Sequence, residues 1–187
     1  MTDRFLETGG EGAYTLRDLR VQDLEQVLEW RNSERIRACM FTDRIITMDE
    51  HLGWFERLEQ NKTVCVKLFE VLSQPAGLVN VTLRDIENGI AYWGFYLGHD
   101  ALPKGTGGKM GELALQLAFG ELNIRKLCGE VLASNMISLR FHEKLGFVQE
   151  GRLRKHVKKN GCYEDVVIYA LFQEDYRKEV ANDVVFS

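Results

Sequence analysis

The run Gly105-Thr106-Gly107-Gly108 places three glycines in four positions. Glycines cost chain entropy and pack nothing, so such a cluster asks what approaches the backbone there. It stands between an apolar, strand-like stretch at 89–98 and an amphipathic helix. A strand, a glycine turn and a helix N-terminus present free N–H groups and the positive end of a dipole, which suits a pyrophosphate. Lys104 and Lys109 flank the run and add positive charge. Two known phosphate motifs fail on specific residues. The sixth position counted from Gly105 is Met110, not glycine, so the dinucleotide fingerprint is absent. Gly108-Lys109 is followed by Met110, and Pro103 occupies the first glycine position of a P-loop. Taken alone, the run is equally well a turn that joins a strand to a helix.

The elements that must position this turn follow from periodicity. A strand is expected at 14–19 and a helix over 21–40, with Leu24, Val27, Leu28 and Arg31 at helical spacing. Thr47-Met48-Asp49-Glu50 has the capping-box pattern and opens a helix over 47–61. Strands at 63–72 and 76–86 are joined by the turn Ser73-Gln74-Pro75-Ala76, and another strand follows at 89–98. The glycine turn feeds a helix from Gly107 to about Leu122, with Met110, Leu113, Ala114, Leu117 and Ala118 on one apolar stripe. A strand at 126–135 leads into a helix over 135–147, with Asn135 as N-cap and Gly146 as terminator. Residues 147–172 read as a β-hairpin turning at Lys159-Asn160-Gly161. The order is mixed α/β in one domain over 14–175, with tails at 1–13 and 176–187.

Composition narrows the field. The 187 residues are 45% apolar and 28% charged with net charge −4, which reads as globular and argues against a nucleic-acid surface. Cys39, Cys65, Cys128 and Cys162 lack metal-site spacing, so no metal is expected and free thiols in a reducing cytoplasm are. No leader-like segment opens the chain and no run reaches membrane length, so a cytoplasmic location without membrane association is expected.

A second segment lies about thirty residues beyond the turn. "GEVLASNMISLRFHEKLGF", 129–147, together with Leu102-Pro103-Lys104-Gly105-Thr106-Gly107, resembles the GNAT superfamily of N-acetyltransferases. That family carries [QR]-x-x-G-x-[GA] after a bulged strand, then a strand ending in Asn, a Tyr seven residues later, and a closing Leu-Gly-Phe. Here Asn135 and Leu145-Gly146-Phe147 match, Leu102 stands where Gln or Arg is frequent, and His142 stands at the Tyr position. The resemblance implies a mixed central sheet with helices on both faces and a bulged, splayed strand that receives acetyl-CoA. It further implies cofactor contacts from Phe95, Tyr96, Leu97, Lys104, Gly105, Thr106, Gly107, Gly108, Lys109, Asn135, Ser138, Phe141, His142 and Lys144.

The stretches "LEWRNSERIRACMF", "HLGWFERL", "YWGFYLG" and "RKLCGEVLASN" resemble the acetyltransferases of pseudaminic acid biosynthesis. These acetylate the 4-amino group of UDP-4-amino-4,6-dideoxy-N-acetyl-β-L-altrosamine. A small nucleotide-amino-sugar acceptor is the implied partner, and a homodimer is compatible with it. Acetylation of a protein N-terminus, a polyamine or another small amine is the alternative, and a non-catalytic CoA sensor a more distant one.

Acyl transfer from a thioester needs the amine deprotonated, the oxygen stabilised and the thiolate protonated. Glu130 lies five residues before Asn135, where related enzymes carry a base acting through water. A salt bridge to Arg125 or Lys126 would also account for it. For the acid, His142 and Tyr96 are the candidates beside water itself. His142 packed beside the cofactor without chemical duty is an equal reading. Asn135 serves as cap, as pantetheine ligand, or as both. On the acceptor side Arg31 suits a pyrophosphate, and His51 lies on the next helix. Met40, Phe41, Trp54 and Trp93 form an apolar wall or plain core, and Thr82 and Glu130 complete the acceptor set.

Overall fold

Ser33 divides what its spacing presents as one helix. Its backbone is extended (φ −60°, ψ 144°), so residues 21–40 form a 3-10 turn (Val21–Asp23), α1 (Leu24–Asn32) and α2 (Glu34–Cys39). The Ser33 hydroxyl donates to the Trp30 carbonyl at 2.7 Å and accepts from the Ile36 N–H, ending one helix and capping the next. In this computed structural model, which describes residues 13–177, α3 (Met48–Gln60) opens on the expected reciprocal cap between Thr47 and Glu50.

Seven strands share one sheet in the order β1-β2-β3-β4-β5-β7-β6. They are β1 (Tyr14–Asp18), β2 (Val64–Val71), β3 (Gln74–Asp85), β4 (Ile90–Leu97), β5 (Lys126–Leu132), β6 (Val148–Lys159) and β7 (Cys162–Phe172). The sheet is mixed: β4 and β5 run parallel, whereas the β1–β2, β2–β3, β5–β7 and β6–β7 pairs are antiparallel. The first hairpin closes at Leu72-Ser73, with φ of 51° and 61°, so Gln74 and Pro75 belong to β3 rather than to the expected turn. Two left-handed residues match the twist of the flanking strands. The last hairpin turns where expected, at Asn160-Gly161, again with two positive φ values.

The chain divides into two compact units. One holds residues up to Thr82 with Gly94–Ala114, the other Leu83–Trp93 with residues from Leu115 onward. In the first, Val27, Trp30, Ile36, Leu68 and Leu78 form a buried cluster, with Met40 and Tyr96 packed against it. In the second, α5 (Met136–Lys144) packs on β5, and Trp93, His142, Phe147 and Tyr169 interlock. Helix α4 (Thr106–Gln116) begins one residue earlier than expected and continues as a π turn (Leu117–Glu121), where Leu122 N–H reaches back five residues to the Leu117 carbonyl.

The expected tails lie outside the described residues except at their inner ends. Ala13 is buried, and Tyr176 packs its ring on Phe119 within the helical residues 173–177.

Candidate active site

In the first unit, Gly105 has φ +88°, which residues with side chains rarely adopt, and it turns the chain into α4. The Thr106 hydroxyl and N–H both donate to the Pro103 carbonyl, at 2.7 and 3.2 Å, and close the turn. The Lys109 N–H is bonded to the Gly105 carbonyl. The amides of Gly107 and Gly108 precede it in the first turn, where N–H groups have no intrahelical acceptor. A Cβ added at Gly105 or at Gly108 would meet no protein atom within 4 Å. The protein's own packing therefore does not explain Gly108. Lys104 is exposed, and Lys109 ties its charge to Glu112 at 2.8 Å.

On β4, Tyr96 is held beside Arg31. Burial pushes the Tyr96 hydroxyl well above its usual range, against the pull of the Arg31 charge. Arg31 donates from Nη2 to Thr42 Oγ1 at 3.0 Å, while its Nη1 is buried without a hydrogen-bond partner. Burial lowers the Arg31 guanidinium, and the nearby charges of Arg44 and Arg37 lower it further. Arg44 is paired with Glu50, and Arg37 donates to the carbonyls of Asn32 and Asp43. Among the described residues no carboxylate is paired with Arg31. The residue as a whole is only partly buried, so the unpartnered Nη1 leaves one donor of the guanidinium open to an acceptor.

The other acceptor candidates of this unit divide. Met40 packs on the core, Phe41 is exposed, and Thr82 stands opposite Val64 in the β2–β3 ladder. His51 is buried and stacked on Trp54 with ring centroids 4.9 Å apart, and its Nε2 has no partner.

In the second unit, β4 and β5 pair over four positions, from Ile90↔Lys126 to Trp93↔Gly129, although β5 runs on to Leu132. Glu130 is the first β5 residue past that ladder, on an inner strand still bonded to β7. Its carboxylate is half-buried, and its ion-pair partner is Arg84 at 3.6 Å, not Arg125 or Lys126. Lys126 bonds Glu150 instead, and the Arg125 guanidinium donates to the Asn88 carbonyl. The Arg84 guanidinium lies 4.0 Å from the centre of the Tyr92 ring. Sequence reading missed Arg84 and Tyr92. The available signal was alternation, since Arg84 falls two residues after Thr82 on the same strand.

Asn135 caps α5 as expected, its Oδ1 accepting from the Ser138 N–H at 3.1 Å. Phe141 is half-buried and Lys144 exposed in the last turn.

His142 and Trp93 require correction. His142 is 3% exposed. Its Nδ1–H donates to the Ser138 carbonyl at 2.8 Å, since a carbonyl can only accept, and this leaves Nε2 without a proton. Burial pushes the imidazole below its usual range, opposed by the Ser138 bond. A neutral ring of this tautomer, stacked on Tyr169 and facing Gly129, has no proton to give a thiolate. Trp93, expected in the acceptor wall, instead stacks on Phe147 at 5.3 Å beneath α5. Both are core residues because β5 carries a glycine, Gly129, where their rings meet the sheet.

Comparison with known proteins bears on this geometry. Residues 14–148 match the family model described as an acetyltransferase (GNAT) domain. The chain is 29% identical over 143 residues to "Probable N-acetyltransferase YjcK" of Bacillus subtilis, covering 76% of this chain and 72% of that protein. It is 24% identical over 164 residues to a spermidine N(1)-acetyltransferase of Escherichia coli, covering 88% of each. The fold also matches the crystal structure of a Vibrio cholerae spermidine N-acetyltransferase in complex with CoA and spermine. There the TM-score is 0.82 at 24% identity, over 88% of this chain and 98% of that one. With the family model spanning well over half of its length, the chain belongs to the GNAT family of acetyltransferases, which use acetyl-CoA as donor.

Proposed function

We propose that this protein transfers the acetyl group of acetyl-CoA to a primary amine of a small molecule, by direct attack of the amine on the thioester. Glu130 is the observation that carries the reading. It is a half-buried carboxylate just past the β4–β5 ladder, held among the described residues by one loose ion pair, to Arg84. The amine nitrogen bonds to the acetyl carbon and the carbon–sulfur bond breaks. Glu130 takes the amine proton through a water molecule, and the thiolate takes one back from the Tyr96 hydroxyl or from water.

The donor fits residues that are present. Open space over Gly105 and Gly108 and the free first amides of α4 suit a pyrophosphate. The backbone of Phe95, Tyr96 and Leu97 would pair with the pantetheine arm as an added strand does, and Asn135 would bond its amide.

For the acceptor, the two relatives above whose names give a substrate are spermidine acetyltransferases, which favours polyamines. A polyamine or similar small amine is therefore the first reading. Arg31 favours a second, an amine that also carries an oxyanion, because its buried Nη1 lacks an acceptor. The expected UDP-linked 4-amino sugar belongs to that second class and has only Arg31 in its favour.

A thiol-release assay with acetyl-CoA decides between them. The panel holds spermidine, spermine, N-terminal peptides, and UDP- and dTDP-linked 4-amino sugars. Spermidine turnover well above that of the sugars supports the first reading, and the reverse supports the second. Tight acetyl-CoA binding with no turnover of any amine would leave a CoA sensor.

A further inference from the structure

We infer that Arg84 is a positioning residue for Glu130, and that Tyr92 holds Arg84 at the distance this requires. The inference rests on the reading of Glu130 as base. Alternation puts Lys126, Cys128 and Glu130 on one face of β5, and the parallel ladder sets Tyr92 beside Cys128 on that face. Arg84 reaches over the Tyr92 ring at 4.0 Å to bring Nη2 to 3.6 Å from Glu130 Oε2.

The length of that contact matters. Arg17–Asp23 and Arg152–Asp165 close to 2.7 Å, as a direct charge-assisted hydrogen bond does. At 3.6 Å, Arg84 supplies charge and direction without occupying a carboxylate lone pair. A base whose oxygens were both held by a guanidinium fork would keep only the outer lone pair of each oxygen for the water and would be a weaker proton acceptor. A base with no cation would swing freely on its side chain and lose orientation. The ring under Arg84 fixes the guanidinium by a cation–π contact and keeps it from closing on the carboxylate.

The test is a double-mutant cycle. Arg84→Met, Arg84→Lys, Glu130→Gln and the double variant Arg84→Met/Glu130→Gln are assayed with acetyl-CoA and the faster of spermidine or any other amine of the panel. Arg84→Met is expected to lower kcat about tenfold with the KM for acetyl-CoA unchanged, and Arg84→Lys to recover part of the loss. In the Glu130→Gln background Arg84→Met is expected to do nothing further. An unchanged kcat for Arg84→Met, or the same fold loss with and without Glu130, overturns the role of Arg84. Full activity of Glu130→Gln instead overturns the base reading itself, so the two failures are distinct. Arg84 is half-exposed, so the melting temperature of Arg84→Met is expected to stay close to that of the parent.

Discussion

Gly129 makes the room that His142 fills. A Cβ on Gly129 would run into His142 Nε2 and come within 3.1 Å of Trp93 Nε1. Neither ring can retreat easily, because Tyr169, Phe147 and Phe141 stack around them. Gly129→Ala is therefore expected to cost about 1–3 kcal/mol as an overpacked core. Chemical denaturation measures this, and an unchanged midpoint would mean that the packing is looser than described.

The same burial has a pH consequence. His142 and His51 both sit below the ordinary value of 6.5 because burial disfavours their charged forms. The unfolded chain then binds more protons than the native one as pH falls below about 6.5. Stability is fully present above that value and is lost as pH drops toward the lowered folded values. Melting temperature is expected to fall between pH 6.5 and 5, and His142→Phe to flatten the decline. A steeper fall above pH 7 would contradict the assignment.

Gly108 separates cofactor binding from folding. Its Cβ position is empty of protein, and alanine favours a helix over glycine by up to about 1 kcal/mol. Gly108→Ala should melt no lower than the parent yet bind acetyl-CoA at least about tenfold more weakly, because about 1.4 kcal/mol of lost phosphate contact suffices. Calorimetry reads the affinity, and equal affinities would remove the glycine turn from the donor site.

Arg31 separates the acceptor classes. If its free Nη1 receives an oxyanion, Arg31→Ala should raise the KM for a phosphate-bearing amine at least about tenfold and leave that for spermidine unchanged. Loss on both acceptors together would mark Arg31 as structural.

Much of this architecture was legible in the sequence. The caps at Thr47 and Asn135, the Asn160-Gly161 turn and the order of elements follow from local chemistry, which acts within a few residues. Ser33 was hidden because the apolar spacing runs on past it, whereas the break is a side-chain bond to Trp30. Leu72-Ser73 was hidden because neither residue advertises a positive φ. The left-handed turn at Gly105 followed from residue type, and the placing of Glu130 on an inner strand followed from its setting in the sequence. The direction in which His142 and Trp93 point was not, because it depends on Gly129, thirteen residues before His142 and on another element. Arg84 was missed for a similar reason, since its partner lies two strands away in the sheet.

Turnover by Glu130→Gln tests the central claim most directly. The substitution keeps shape and removes the charge proposed to accept the amine proton. With saturating acetyl-CoA and the best amine, kcat is predicted to fall about 100-fold or more, while acetyl-CoA affinity stays at the parent value. An unchanged kcat at every pH between 6 and 9 would contradict the account.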